Sequence, residues 1–240
     1  MNRATLLHVT RHARILAACL LASMTACLVH AAPPADAAAG ARIASARTPT
    51  GATACAGCHG VRGEGTGAFP HLAGTGAAYL REQLESLATG QRKNPVMQPI
   101  AQALTPGQRD QVAAYYASLP PPVAAVADRA PRDSKDTGAW LATRGRWTDG
   151  LPACVQCHGP GGSGVGASFP PLAGQPAAYI AGQMKAWQTG ARPPGPLGLM
   201  EVVARKLKDA DIQAVSDYYA GLAQAASTAR RAASGTKEKP

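Results

Sequence analysis

The chain has 240 residues, of which 46% are hydrophobic and 16% charged, and its formal net charge is +10. This charge is concentrated at the ends, because residues 1–32 and the tail from Ala225 carry +3 each, whereas residues 33–120 and 121–224 carry only +2 each. Two nearly neutral central segments give no support for nucleic-acid binding. For the tail, an electrostatic contact with an acidic partner or with a membrane surface stays open.

The first 32 residues have the pattern of a secretory signal peptide. Three arginines precede an apolar run from Ile15 to Val29, and small residues then lead into Pro33. We therefore expect a cleaved signal and a periplasmic protein, with an uncleaved anchor or a lipoprotein attached through Cys27 as the alternatives. No later stretch is long and apolar enough to span a membrane.

The sequence CAGCH, residues 55–59, follows a weakly predicted helix that Thr48-Pro49 should interrupt. Two cysteines two residues apart and an adjoining histidine form the attachment signature of c-type haem. A zinc site would need a second cysteine pair within about 20 residues, and a thioredoxin-like site would need a βαβ unit. We therefore predict that Cys55 and Cys58 bind the porphyrin covalently and that His59 binds its iron.

The same signature recurs as CVQCH, residues 154–158, so Cys154, Cys157 and His158 should hold a second haem. The sequences that follow the two motifs also match, beginning with Phe69–Gly74 and Phe169–Gly174. Helices are predicted over about 77–89 and from a capping box at Thr105 in the first unit, and over 140–147, 176–189, 199–207 and 212–222 in the second. Residues 91–99 are predicted to form a loop. No segment alternates as a strand would, so the predicted fold class is all-α.

The repeat predicts the following division: a signal peptide over 1–32, a first domain over 33–120, a linker over 121–136, a second domain over 137–224, and a basic disordered tail over 225–240.

Further residues are candidates for completing each haem site. A ligand imidazole usually donates its second ring N–H to an acceptor, and the carbonyls of Pro70 and Pro170 are our candidates. Met97 and Met200 lie between the last two helices of each unit and are the predicted sixth ligands of the irons. Met184 falls inside a helix and is expected in the core.

Two arginines and one histidine remain to be placed. Arg92 and Arg192 occupy matching positions and could each bind a haem propionate in bidentate fashion, or be ordinary solvated side chains. His71 has no counterpart in the second unit, where Pro171 stands, and we expect it at the surface.

Both units resemble class I cytochrome c domains in their haem motif, Pro-x-Leu-x-Gly turn, methionine loop and final helix. The tandem arrangement resembles the dihaem cytochrome c4 family, over about Ala52–Leu119 and Trp140–Leu222. The resemblance implies two domains, each wrapped around one covalent haem, and electron transfer rather than catalysis, because both irons would have two protein ligands. It implies a quinol-oxidising complex as donor and a terminal oxidase as acceptor.

Two alternatives stay open, and the first of them would have the same fold. The chain could be the electron-accepting subunit of a periplasmic dehydrogenase, such as a flavocytochrome sulfide dehydrogenase. It could also be a dihaem enzyme, such as a peroxidase or a thiosulfate dehydrogenase, which would need an open or differently ligated haem.

Overall fold

The structure is a computed structural model that describes residues 37–123, 131, 133–195 and 197–235. The predicted signal peptide and half of the predicted linker lie outside these residues. In the described part, helices and glycine-rich loops make up the fold, β pairing is confined to isolated bridges, and no helix is long and apolar enough to cross a bilayer. The all-α prediction is confirmed.

The first domain packs its last helix against its first. Its helices are α1 (Ala37–Ser45), α2 (Ala56–His59), α3 (Ala77–Ala88), α4 (Met97–Gln102) and α5 (Pro106–Ser118). The backbones of α1 and α5 approach so closely that a Cβ at Gly40 would clash with the carbonyl of Gln111. The core beside this crossing contains Leu80, Leu104 and Val112.

The second domain repeats this plan. Its helices are α6 (Thr137–Thr143), α7 (Val155–His158), α8 (Ala177–Gln188), α9 (Leu199–Lys206) and α10 (Asp209–Gly235), with 3-10 turns at Trp147–Asp149 and Pro160–Gly162. A Cβ at Gly138 of α6 would clash with the carbonyl of Ala214 in α10, as at the first crossing. The core contains Leu141, Trp187 and Ile212 and shares no buried residue with the core of the first domain.

The capping box predicted at Thr105 is present. The Gln108 N–H donates to Thr105 Oγ1 (3.2 Å), and the Thr105 N–H donates to Gln108 Oε1 (2.9 Å). Helix α10 begins differently, because the carboxylate of Asp211 accepts from the Lys208 N–H at 3.1 Å. The cap of α10 therefore comes from inside the helix.

Several predicted segments differ from the structure, among them the helix predicted over 140–147, which instead spans Thr137–Thr143 as α6. Residues 91–99 were predicted as a loop, but α4 already begins at Met97, because Asn94 Oδ1 accepts hydrogen bonds from the N–H groups of Val96 (3.0 Å) and Met97 (2.8 Å). The predicted disorder from Ala225 is wrong for residues 225–235, which continue α10. This segment is rich in alanine and has no helix breaker before Gly235.

Candidate haem sites and domain interface

The imidazole of His59 lies at the end of α2 and is almost fully buried, with 5% of its surface exposed. Its Nδ1–H donates to the carbonyl of Pro70 at 2.8 Å, and its Nε2 is buried without a hydrogen-bond partner among the described residues. Burial lowers the pKa of His59, and the bond to Pro70 offsets this only in part. A neutral ring with one unused, buried lone pair fits a metal-bound imidazole.

His158 makes the matching hydrogen bond in the second domain. Its Nδ1–H donates to the carbonyl of Pro170 at 2.8 Å, and burial lowers the pKa of the ring. A phenylalanine lies edge-on to each histidine, with ring centroids 6.1 Å apart in both the His59–Phe69 and the His158–Phe169 pair. The two candidate sites are therefore built alike around their histidines.

The cysteines of each motif lie on the same short helix as the histidine. All four are free thiols, with no disulfide between them. Burial raises the pKa of Cys154 to about 11 and also raises that of Cys55, so both thiols are protonated at neutral pH. Two free thiols one helical turn apart are available for the two thioether bonds of one haem.

A glycine loop after each motif is held by the last helix of its domain. The ring of Tyr116 would lie 2.6 Å from a Cβ at Gly63, and the ring of Tyr219 would lie 2.5 Å from a Cβ at Gly162. Both glycines also have positive φ, 70° and 72°. Any larger residue would push the tyrosine out of the core, so these tyrosines fix the chain around the haem motif.

The ligand roles of Met97 and Met200 stay predictions, whereas the place of Met184 is visible in the structure. Met184 is a buried core residue of the second domain, as predicted. Met97 is the first residue of α4, and Met200 is the second residue of α9 and packs against the second core.

The two arginines lie between the domains, in a set of hydrogen bonds that we call the crossed cluster. It consists of Tyr79, Gln83 and Arg92 from the first domain and Tyr179, Gln183 and Arg192 from the second. Arg92 donates to Gln83 (2.9 Å), Tyr179 (3.3 Å) and Gln183 (2.7 Å). Arg192 donates to Gln183 (3.0 Å), Tyr79 (2.7 Å) and Gln83 (3.0 Å). Each arginine thus binds the glutamine of its own domain and two side chains of the other.

The crossed cluster holds two positive charges away from solvent. Arg192 is 6% exposed and stacks on Trp187 at 4.0 Å from the ring centroid. The bonds of both guanidiniums within the described residues run to neutral oxygens, and a buried cation is costly unless an anion is near. Haem propionates are the anions that the sequence suggests, and this role stays a prediction. Sequence reasoning missed the tyrosines and glutamines, although both occur at matching positions of the two repeats.

His71 is buried rather than exposed, so the expectation of a surface residue is wrong. Only 1% of its surface is exposed, and Gln175 of the second domain forms two hydrogen bonds with its backbone. Burial lowers the pKa of His71 to about 4, and the backbone at Ala173 and Ala73 opposes this only in part.

Comparison with known proteins shows the class of this chain. The family model described as cytochrome c matches residues 37–120 and 151–223. The cytochrome c4 of Pseudomonas aeruginosa is 36% identical over 71% of this chain and 85% of its own length. The crystal structure of reduced cytochrome c4 from Pseudomonas stutzeri is 34% identical, with a TM-score of 0.65 over 78% of this chain and 98% of that chain.

Other relatives carry a different description. Thiosulfate dehydrogenase electron acceptors from Stutzerimonas stutzeri and Thiomonas intermedia are 48% and 44% identical, over 72% and 73% of this chain and 81% of each relative. The structure of thiosulfate dehydrogenase TsdBA from Marichromatium purpuratum is 45% identical, with a TM-score of 0.69 over 77% of this chain. This chain spans only 40% of the length of that one.

The fold and both sites therefore define a pair of tandem cytochrome c domains, and the chain belongs to the cytochrome c family. Within it, the chain is a member of the dihaem cytochrome c4 family, whose cofactors are two covalently bound haem c groups. The free thiols and the unpartnered Nε2 of His59 fit this cofactor. When bound, each haem iron supplies a one-electron couple, so the chain is an electron-transfer protein.

Proposed function

We propose that this protein accepts electrons from a thiosulfate dehydrogenase. The observation that carries the proposal is the order of the relatives: those named as thiosulfate dehydrogenase electron acceptors are 48% and 44% identical, against 36% for a cytochrome c4. Among the alternatives from the sequence, this favours the subunit of a dehydrogenase over the free carrier. It also favours thiosulfate over sulfide as the substrate of that dehydrogenase.

In this proposal the substrate reacts on the partner, and this chain supplies two electron acceptors held in one body. The crossed cluster and the contact of Gln175 with His71 join the domains, so that both haem sites dock as one unit. Predicted methionine ligands on both irons would leave no vacant position for thiosulfate.

Stopped-flow reduction tests the proposed partner. The oxidised holoprotein is mixed with a thiosulfate dehydrogenase and thiosulfate, and haem absorbance is followed, with the cytochrome c4 of Pseudomonas aeruginosa as the matched control acceptor. We expect this protein to be reduced at least tenfold faster than the control at low ionic strength. Equal rates for the two acceptors would contradict a dedicated partnership.

The same experiment without the dehydrogenase tests whether the chain is itself an enzyme. We expect thiosulfate alone to leave both haems oxidised and to support no reduction of an artificial acceptor. Catalytic turnover by the purified chain would overturn the assignment as a pure electron-transfer protein.

A free carrier between a quinol-oxidising complex and a terminal oxidase is the second candidate. It is supported by the match to 98% of the cytochrome c4 structure, which covers nearly the whole of that fold. Rapid oxidation of the reduced protein by membranes that contain the oxidase would favour this function. The two functions are compatible if the dehydrogenase is the donor and the oxidase the acceptor.

We further propose that the mature protein lies in the periplasm, on the strength of the signal-like residues 1–32. Mass spectrometry of the protein purified from its host should show a chain that begins close to Pro33. A chain that retains Met1, or that carries a lipid on Cys27, would support the anchor or the lipoprotein instead.

A further inference from the structure

The carbonyl that orients His59 belongs to a peptide group with a second hydrogen bond. The Pro70 carbonyl accepts from His59 Nδ1 at 2.8 Å. The N–H of the same peptide group, contributed by His71, donates to Gln175 Oε1 at 3.2 Å. The ring of His59 is thereby connected through one peptide to a side chain of the other domain.

Gln175 binds the backbone of His71 at two points. Besides accepting from the N–H, its Nε2 donates to the His71 carbonyl at 3.0 Å. Both residues are buried, Gln175 with 6% and His71 with 1% of their surfaces exposed. A buried amide with both of its polar atoms paired holds its position firmly, because breaking either bond would leave a buried polar group unpaired.

The second domain has no equivalent contact at its own histidine. Pro171 stands at the position of His71, and proline has no N–H to donate. Thr75 stands at the position of Gln175, and its buried hydroxyl has no hydrogen-bond partner among the described residues. The Pro170 carbonyl that orients His158 therefore belongs to a peptide without an N–H, and the two haem sites differ at this point.

We propose that Gln175 is a positioning residue that lowers the reduction potential of the haem in the other domain. A peptide whose N–H is hydrogen-bonded is a better acceptor at its carbonyl, since hydrogen bonds in a chain polarise one another. A stronger bond from His59 Nδ1–H makes Nε2 a more basic ligand. A more basic ligand favours the ferric iron. The inference rests on His59 as an iron ligand and is independent of the thiosulfate partner.

Potentiometric titration of the full holoprotein tests this proposal with two variants. Gln175→Met removes the acceptor, and His71→Pro removes the donor N–H together with the imidazole, copying the sequence of the second domain. In both variants we expect the ratio of reduced to oxidised first haem, at a fixed potential, to rise roughly two- to tenfold, where tenfold corresponds to about 59 mV for a one-electron couple. The reduction potential of the second haem should not change.

Two controls distinguish an effect on the reduction potential of the first haem from a general weakening of the domain interface. Thr75→Val, at the matching position of the first domain, should leave both couples in place because its hydroxyl makes no bond to lose. A Met200→His background, which should lower only the second couple, identifies which couple moved. Unchanged potentials, a fall of the first couple, or equal shifts of both couples in Gln175→Met and His71→Pro would overturn the proposal.

Discussion

At the scale of single residues, His71 is a buried imidazole that the folded protein keeps neutral. Its pKa lies at about 4, below its ordinary value of 6.5, chiefly because burial disfavours the charged ring. The unfolded chain therefore binds a proton at a higher pH than the folded protein does. The stability that depends on a neutral His71 is complete above pH 6.5 and is lost as the pH falls toward 4.

We predict that replacing His71 by phenylalanine reduces the acid sensitivity of the fold. Between pH 7 and pH 4 the wild-type protein should lose roughly 3 kcal/mol more unfolding free energy than the variant does. Denaturant titrations of both holoproteins across this range measure the difference. His59 and His158 are common to both proteins, so parallel pH profiles would show that His71 does not titrate in this way.

The predicted methionine ligands call for a spectroscopic test. In the oxidised protein we expect two charge-transfer bands between methionine sulfur and ferric iron. Met97→Ala should remove one band and Met200→Ala the other, and each should lower the potential of its own haem, because methionine ligation raises it. Met184→Leu is the matched control and should keep both bands. An unchanged spectrum in either alanine variant would exclude that methionine as a ligand.

At the scale of the elements, the N-terminus of helix α5 is stabilised by a capping box that can be recognised in the sequence. Thr105 and Gln108 each satisfy one backbone N–H of the other, so neither donor is left unpaired at the start of the helix. In α10 the corresponding N–H is satisfied by Asp211, which also pairs with Arg146 at 2.8 Å. The two equivalent helices thus begin by different means.

This difference predicts unequal effects of substitution at equivalent positions. Thr105→Ala should lower the unfolding free energy by about 1 kcal/mol. Lys208→Ala, at the start of α10, should change it by less than about 0.5 kcal/mol, because residue 208 supplies no side-chain cap. Urea unfolding of both variants, followed by helical circular dichroism, measures the contrast. Equal losses would mean that the capping box adds nothing to helix propensity.

Some of these elements are predictable from local sequence patterns, and others are not. The haem motifs are readable because both thiols and the imidazole must lie within five residues of one another. The cap at Thr105 is equally local. The start of α4 was missed because it depends on the side chain of Asn94 rather than on apolar periodicity. The extension of α10 is not predictable in this way, because a polar, alanine-rich sequence without an apolar face is compatible with disorder as well as with a helix.

At the scale of the whole molecule, the crossed cluster joins the two domains with buried charge. Its cross-domain bonds link residues 87 to 113 positions apart, which no local pattern reveals. The sequence showed only that Arg92 and Arg192 match. Each arginine contacts the tyrosine of the other domain because of the way in which the domains pack. The sequence therefore suggests an anionic ligand for the two arginines but does not reveal their role in the interface.

We predict that Arg192→Lys weakens the coupling between the domains. Lysine keeps the charge but lacks the planar fork that binds Gln183, Tyr79 and Gln83 together. The unfolding free energy should fall by about 1–3 kcal/mol, and a single transition should broaden or separate into two. Arg92→Lys should have a smaller effect, since Arg92 lacks the stacking of Arg192 on Trp187.

The matched control for this prediction is a substitution of Arg81, an arginine on helix α3. Arg81 pairs with Asp110 at 3.7 Å, and both side chains are largely exposed, so Arg81→Lys should cost less than about 0.5 kcal/mol. Differential scanning calorimetry of the three holoproteins compares the substitutions directly. Equal losses at the exposed and buried arginines would show that the cluster does not couple the domains.

The crossed cluster also has a symmetry. Adding 100 to each residue number of the first domain gives its partner in the second, and the pattern of bonds is unchanged by the exchange. This is the rule of an isologous contact, in which two identical surfaces meet about a twofold axis. The contact between the domains therefore resembles a homodimer interface, although both halves belong to one chain. A substitution in one domain alone makes this interface asymmetric. The hydrogen bonds between Gln175 and His71, which have no counterpart on the other side, already do so.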